Sequence, residues 1–221
     1  MRCGGEPLIV SWFWEAAEAL GRAGVQLKIE TNGQRLAAAD ALRLARLPIR
    51  SIQVSLDGDT QEPYSRQRIG GSLAKAHAAC RAVVEAGLPL EITFAPTRLN
   101  LHEAEAVIDR AAALGAFRLN TGRLMRLGTA AKLWERLEPA EADYAAFLRL
   151  LERKERELSG RLELCFRPFT IEEGLRETLD QPPAVLLVRP DGTVKAAGPL
   201  PWLCADLRRQ SLAQAWDAYR L

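Results

Sequence analysis

Gly4, Gly5, Glu6 and Pro7 are the first residues of this 221-residue chain that could do chemistry. Two glycines and a carboxylate at the end of a strand make a turn that cradles a ligand, because glycine lets the backbone approach closely. Similar polar groups return further along: Glu30, Thr31 and Asn32, then Ser55 and Asp57, then Thr93, then Asn120 and Thr121. Each set closes an apolar run and so falls where a strand gives way to a loop. In parallel α/β architectures that end is where ligands sit, whether the sheet is closed or open. Any one set alone is also what a polar surface loop supplies. Their recurrence at successive strand ends is the stronger signal, and it points to a shared ligand.

The elements that must position these groups follow from the apolar periodicity, which switches between strand-like and helix-like. Residues 11–24 predict a helix with Ser11 as N-cap, an apolar stripe at Phe13, Ala16, Ala17 and Leu20, and Gly24 at its end. VQLKIETNG reads as a strand, QRLAAADALRLARL as a helix, and IRSIQVSLDG as a second strand. SLAKAHAACRAVVEAG and LPLEITFAP repeat the pair. Asn100 and Glu103 form a capping-box-like start for the helix LHEAEAVIDRAAALG, which leads to the strand AFRLNTG. Strands separated by helices of about a dozen residues predict parallel pairing through right-handed crossovers, hence an α/β fold of partial (β/α) barrel type.

Beyond residue 122 the pattern changes. A long helix with Tyr144, Phe147, Leu148, Leu151 and Leu158 on one face precedes a strand-like RLELCF, a short helix IEEGLRETL and a hairpin turning at Pro190, Asp191 and Gly192. SLAQAWDAYRL closes the chain as an amphipathic segment. We expect residues 1–137 to form the barrel and 138–221 a linker helix with a small α+β extension.

Composition narrows the class. Hydrophobic residues at 48% and charged residues at 26% are ordinary for a globular protein. Thirty basic against 28 acidic side chains, with no long basic run, give no electrostatic case for nucleic acid or a membrane surface. No apolar stretch is long enough to span a bilayer and no secretion signal opens the chain, so a cytoplasmic location is expected. Cys3, Cys80, Cys165 and Cys204 lie too far apart for a local metal site or a disulfide framework. His77 and His102 pair with no nucleophile, and Trp12, Trp14, Trp134, Trp202 and Trp216 read as packing anchors.

The order GGEP, ETNG, VSLDG, RQRIGGS resembles the radical S-adenosylmethionine (radical SAM) superfamily. LVRPDGTVKAAGPLP followed by DLRRQSLAQAW resembles the SPASM extension of its peptide-modifying branch, which includes the peptide-crosslinking enzyme of pyrroloquinoline quinone biosynthesis. The resemblance covers nearly the whole chain. It implies S-adenosylmethionine as cofactor, a peptide as substrate, and modification through a 5′-deoxyadenosyl radical. Gly4, Gly5, Glu6 and Pro7 match the motif that lines the methionyl amino group, and Thr31 and Asn32 match the next strand end on the same cavity. Ser55 and Asp57 match the strand that contacts the methionyl carboxylate or the ribose. Arg68 matches a basic position suited to the cofactor carboxylate. Asp57 and Arg68 also read as a turn former and a solvated charge.

The resemblance breaks at the amino terminus. The family holds a four-iron four-sulfur cluster with a C-x3-C-x2-C loop upstream of GGEP, and here two residues precede Cys3. We therefore expect a shortened chain that lacks the first β/α unit and is unable to hold the cluster alone, with Cys3 a buried small residue and the auxiliary clusters of SPASM relatives missing too. An uncovered barrel edge predicts a homo-oligomer or a segment swap. Two other readings are a non-catalytic peptide-binding descendant and an unrelated α/β-barrel enzyme for a small metabolite, with Glu30 and Asp57 as acid or base.

Overall fold

Five strands lie side by side in chain order and pair in parallel: β1 Leu27–Thr31, β2 Ile49–Ser55, β3 Leu90–Thr93, β4 Arg118–Gly122 and β5 Glu163–Arg167. The computed structural model in which they are seen describes residues 5–167, 172, 176, 186–195 and 202–220. The chain divides into two compact units, Gly5–Pro168 and Phe169–Leu221. The first is the partial (β/α) barrel expected, and it runs past residue 137. RLELCF, expected in the extension, is β5 of the parallel sheet, with Leu119 opposite Leu164 and Asn120 opposite Cys165.

Helices join the strands: α1 Phe13–Arg22, α2 Ala38–Leu44, α3 Gln61–Gln67, α4 Leu73–Glu85, α5 Ala104–Ala113, α6 Gly128–Lys132, α7 Trp134–Leu137 and α8 Glu141–Glu157. Ser11 is not the cap of α1. The helix begins after Trp12 without a side-chain cap, and Gly24 ends it at a φ of +78°. Ser72 does cap α4 by accepting from the Lys75 N–H. Along α8, Tyr144, Phe147 and Leu151 are buried, whereas Leu148 is exposed. The buried Lys154 of α8 reaches Asp109 (2.8 Å) and Glu105 (3.1 Å) of α5, so an ion cluster locks these two helices together.

The sheet has two unlike faces, and this asymmetry creates the site. Ile29, Ile52, Val54, Ile92 and Leu119 share one core with Ala76, Ala79 and Val83 of α4 and with Val107, Ile108 and Ala111 of α5. The alternate residues Lys28, Glu30, Ser51, Gln53, Ser55, Glu91, Thr93, Arg118, Asn120 and Cys165 point the other way. A parallel sheet buried under helices on both faces reads as continuous apolar runs. A polar second face therefore lines a space that takes something polar.

In the second unit, β6 Leu187–Val188, β7 Thr193–Lys195 and β8 Leu203–Asp206 form an antiparallel sheet in that order, followed by α9 Leu212–Arg220. The turn is the expected one: Gly192 at φ +80° donates to the Arg189 carbonyl at 2.9 Å, and Asp191 Oδ1 accepts from Thr193 N and Oγ1. Ser211 and Gln214 cap α9 reciprocally. The helix expected at 171–179 lies outside the described residues apart from Glu172 and Arg176, an ion pair at 2.7 Å. Cys3 and Gly4 lie outside them too. Among the described residues no helix is long and apolar enough to cross a membrane.

Candidate functional site

Gly5 adopts a φ of +79°, which favours glycine, and turns the chain so that Glu6 points inward. Glu6 is buried, and both its oxygens are engaged: Oε1 accepts from Thr31 Oγ1 at 2.8 Å and from the Leu8 N–H at 3.2 Å, and Oε2 accepts from the Asn32 N–H at 2.8 Å. Pro7 opens the 3-10 turn that Glu6 caps. One carboxylate thus ties the GGEP turn to the end of β1, 25 residues on.

The β1 loop is fixed from its other side as well. Asn32 Oδ1 accepts from the Gln34 N–H at 2.9 Å, and Gln34 joins both backbone groups of Ser72 (2.8 and 3.1 Å) while donating to the Tyr64 hydroxyl at 3.3 Å. Gly33, at φ +73°, packs so closely on α4 that an added Cβ would lie 3.2 Å from Ala76 Cα and Ala79 Cβ. Burial pushes the Tyr64 phenol above its ordinary value.

At the end of β2, Asp57 Oδ2 accepts from Arg68 Nε at 2.6 Å and Oδ1 from the Ala95 N–H at 2.8 Å. The Asp57 carboxylate is 3% exposed and the Arg68 side chain 33%. The Asp57 carbonyl accepts from Asn100 Nδ2 at 3.0 Å, and Asn100 Oδ1 accepts from the Thr97 N–H at 2.7 Å. Asn100 and Glu103 are therefore not a capping box. Leu101–Glu103 is a 3-10 turn ahead of α5, and Glu103 accepts instead from the Asp59 and Thr60 N–H groups and the Thr60 hydroxyl at the start of α3. Ser55 stands on the polar face opposite Thr93, whose Oγ1 is buried without a partner among the described residues.

Beneath these turns the polar face is tied up in its own network. Glu91 Oε2 accepts from Lys28 Nζ and from Asn120 Nδ2, each at 2.7 Å, and Asn120 also reaches Gln53 Oε1 at 3.3 Å. Burial pushes Glu91 up, but the bonds from Lys28 and Asn120 more than offset it, and its carboxyl sits below the usual carboxylate range. A depressed native value means that stability is fully present above the ordinary glutamate value of about 4.3 and is lost as pH falls through the lower native one. Urea unfolding at pH 6 and pH 3 should thus show a smaller loss on acidification for Glu91→Gln than for the unaltered chain. Equal losses would contradict the network.

The structure joins Glu6 of the Gly5–Pro7 turn to Thr31 and Asn32 by direct bonds, and places Asp57 with Arg68 at the end of the next strand. Sequence reasoning missed Gln34, Tyr64 and the Lys28–Glu91–Asn120 network. Charged residues at alternate positions of LKIE and LEIT were the available signal for the last. His77 is half-buried, with its pKa lowered by burial and the nearby Arg110, and His102 is exposed. The Cys80 thiol is buried and pushed up to about 12, so it is an inert core group. Cys165 lies on the opposite face of the sheet. Among the described residues no three His, Cys, Asp or Glu side chains gather to hold a metal.

Comparison with known proteins agrees with this architecture. Residues 3–111 match the model of the Radical SAM superfamily. The chain is 35% identical to mycofactocin maturase MftC of Mycobacterium ulcerans over 159 residues, 71% of this chain and 43% of that protein. It is 30% identical to the PqqA peptide cyclase of Ruegeria pomeroyi over 238 residues, 98% of this chain and 62% of that one. The chain thus spans about two to three fifths of the length of these relatives. Its fold is shared with Streptococcus suis SuiB bound to precursor peptide SuiA, at a TM-score of 0.77 and 12% identity, over 96% of this chain and 52% of that one.

Proposed function

The chain carries a radical SAM superfamily domain, and from that premise we propose that it binds S-adenosylmethionine at the turns closing β1 and β2 and modifies a peptide. The observation that carries this is the Glu6 carboxylate bonded to both Thr31 and Asn32, which joins two family motifs into one wall. That one relative is named a peptide cyclase, and that SuiB holds a precursor peptide, supports the substrate class.

The residues present fit the cofactor. Gly5 offers backbone groups to the methionyl ammonium, with Glu6 and Pro7 holding the turn in shape. Thr31 and Asn32 continue that wall. Ser55, whose hydroxyl has no hydrogen bond among the described residues, offers it to the carboxylate or ribose. Arg68 uses Nε on Asp57, which leaves its terminal nitrogens for the incoming carboxylate. The buried Thr93 Oγ1, without a partner among the described residues, is matched by a polar ligand on this face. When bound, and with one electron from a donor outside the described residues, S-adenosylmethionine would supply the radical that removes hydrogen from a substrate. The described residues do not fit an iron–sulfur cluster.

Asp57 has both oxygens engaged, so it makes a poor partner for Glu30 in acid–base chemistry on a metabolite. Calorimetric titration tests the cofactor assignment: one S-adenosylmethionine binds per chain, and Gly5→Val, which strains the φ of +79°, weakens it at least tenfold. An unaffected variant, or no binding at all, contradicts the proposal. Among the described residues β1 is the edge strand of the sheet, and its outer edge is the place for a second copy to add a strand. Light scattering then gives a dimer or larger species, and a monomer rejects that contact.

A further inference from the structure

The polar face of the sheet divides into groups that are already satisfied and groups that are not. Lys28, Glu91, Asn120 and Gln53 bond to one another, and Arg118 of β4 pairs with Glu163 of β5 at 2.8 Å. Glu30 is different. It is half-buried in β1, opposite Gln53 in the strand register, and among the described residues it has neither a hydrogen bond nor an ion pair. Lys28, the cation nearest along its own strand, is held by Glu91 instead. Thr93 Oγ1 on the same face is buried and equally without a partner.

A carboxylate partly withdrawn from water and left unpaired is unfavourable, and a cation brought against it relieves that cost with a charge-assisted hydrogen bond. Successive strand residues point to opposite faces. Glu30 therefore faces away from the side on which Thr31 meets Glu6, into the space over the polar face rather than into the knot that shapes the cofactor turn.

We infer that Glu30 is the specificity residue of this site, receiving a positively charged side chain, lysine or arginine, of the peptide substrate. The inference rests on the peptide-modifying reading above. A peptide lying over the β1–β2 side of the polar face meets Glu30, and a basic residue there supplies the missing partner. A norleucine, with the same four-carbon stem but no ammonium, leaves the carboxylate unpaired, and an acidic residue adds repulsion.

Fluorescence polarisation with three labelled peptides, Gly-Tyr-Lys-Gly and its norleucine and glutamate counterparts, tests this on the whole chain. The lysine peptide should bind at least tenfold more tightly than the norleucine one and the glutamate peptide most weakly, with the preference lost in Glu30→Gln and partly restored in Glu30→Asp. Equal affinities, no binding of any peptide, or a preference that survives Glu30→Gln overturns the assignment. A calorimetric titration of S-adenosylmethionine separates the two levels. If the unaltered chain binds it while no lysine preference appears, only the role of Glu30 fails; if the unaltered chain does not bind it, the cofactor reading fails. Loss of S-adenosylmethionine binding in Glu30→Gln alone also overturns the inference, since the carboxylate would then serve the cofactor's own ammonium.

Discussion

Replacing Glu6 with alanine should lower the stability of the chain by about 2–4 kcal/mol and weaken S-adenosylmethionine binding by at least tenfold. Three donors converge on this one carboxylate: the Leu8 and Asn32 N–H groups and the Thr31 hydroxyl. Hydrogen bonds to a charged group contribute roughly 1.5–3 kcal/mol each, and a buried donor left without an acceptor loses its desolvation energy as well. The terms share one side chain and do not add. Affinity falls for a separate reason, because the GGEP turn and the β1 loop are no longer held against each other. Glu6→Gln separates the roles: it keeps one acceptor oxygen but turns an NH2 toward protein donors, so it should lie between alanine and the unaltered chain in both measurements. Urea unfolding and calorimetry on the three proteins read this out. A loss of stability with unchanged affinity would make Glu6 a packing residue only.

Asp57→Ala carries the next largest effect, a destabilisation of about 2–3 kcal/mol. Two partners lose their acceptor, Arg68 Nε and the Ala95 N–H. Arg68 is one-third exposed, so solvent recovers part of its loss. The Ala95 N–H sits in the half-buried turn after β3 and loses its acceptor from the 3%-exposed Asp57 carboxylate, which adds the cost of an unpaired donor. Asp57→Asn retains an acceptor for Ala95 and should recover about half of the stability while still weakening cofactor binding, since Arg68 is then held less firmly. If both variants unfold at the urea concentration of the unaltered chain, the bond between the β2 and β3 ends is not what orders this corner.

Four of the five parallel strands were legible because each places an apolar run between a helix and a polar turn. β5 carries the same two-faced alternation, with Leu164 and Phe166 against Glu163, Cys165 and Arg167, but it follows α6, α7 and the long α8, and that break in the rhythm made it look like part of another unit. α3 escaped for a local reason. Its sequence QEPYSRQ has weak helical character, with a proline in the first turn where it is tolerated. Its start is satisfied by Glu103, 43 residues away, which no local pattern reveals. The same holds for the site. The residue types at the strand ends announced a ligand, but their partners did not: that Glu6 grips the β1 loop, that Asp57 takes Arg68 and Ala95, and that Asn100 serves Asp57 and Thr97 rather than a helix start are tertiary facts. Ser11 failed as a cap for the opposite reason, since a good capping residue gains nothing when the chain turns into the helix one residue later.

The most direct measurement is an amide NMR titration of the 15N-labelled chain with S-adenosylmethionine. The strand-end turns are predicted to respond as one site, with saturable shifts at Gly5, Asn32, Ser55 and Arg68 that share a single dissociation constant. Shifts scattered over unrelated surfaces, or an unchanged spectrum at these four positions, would contradict it.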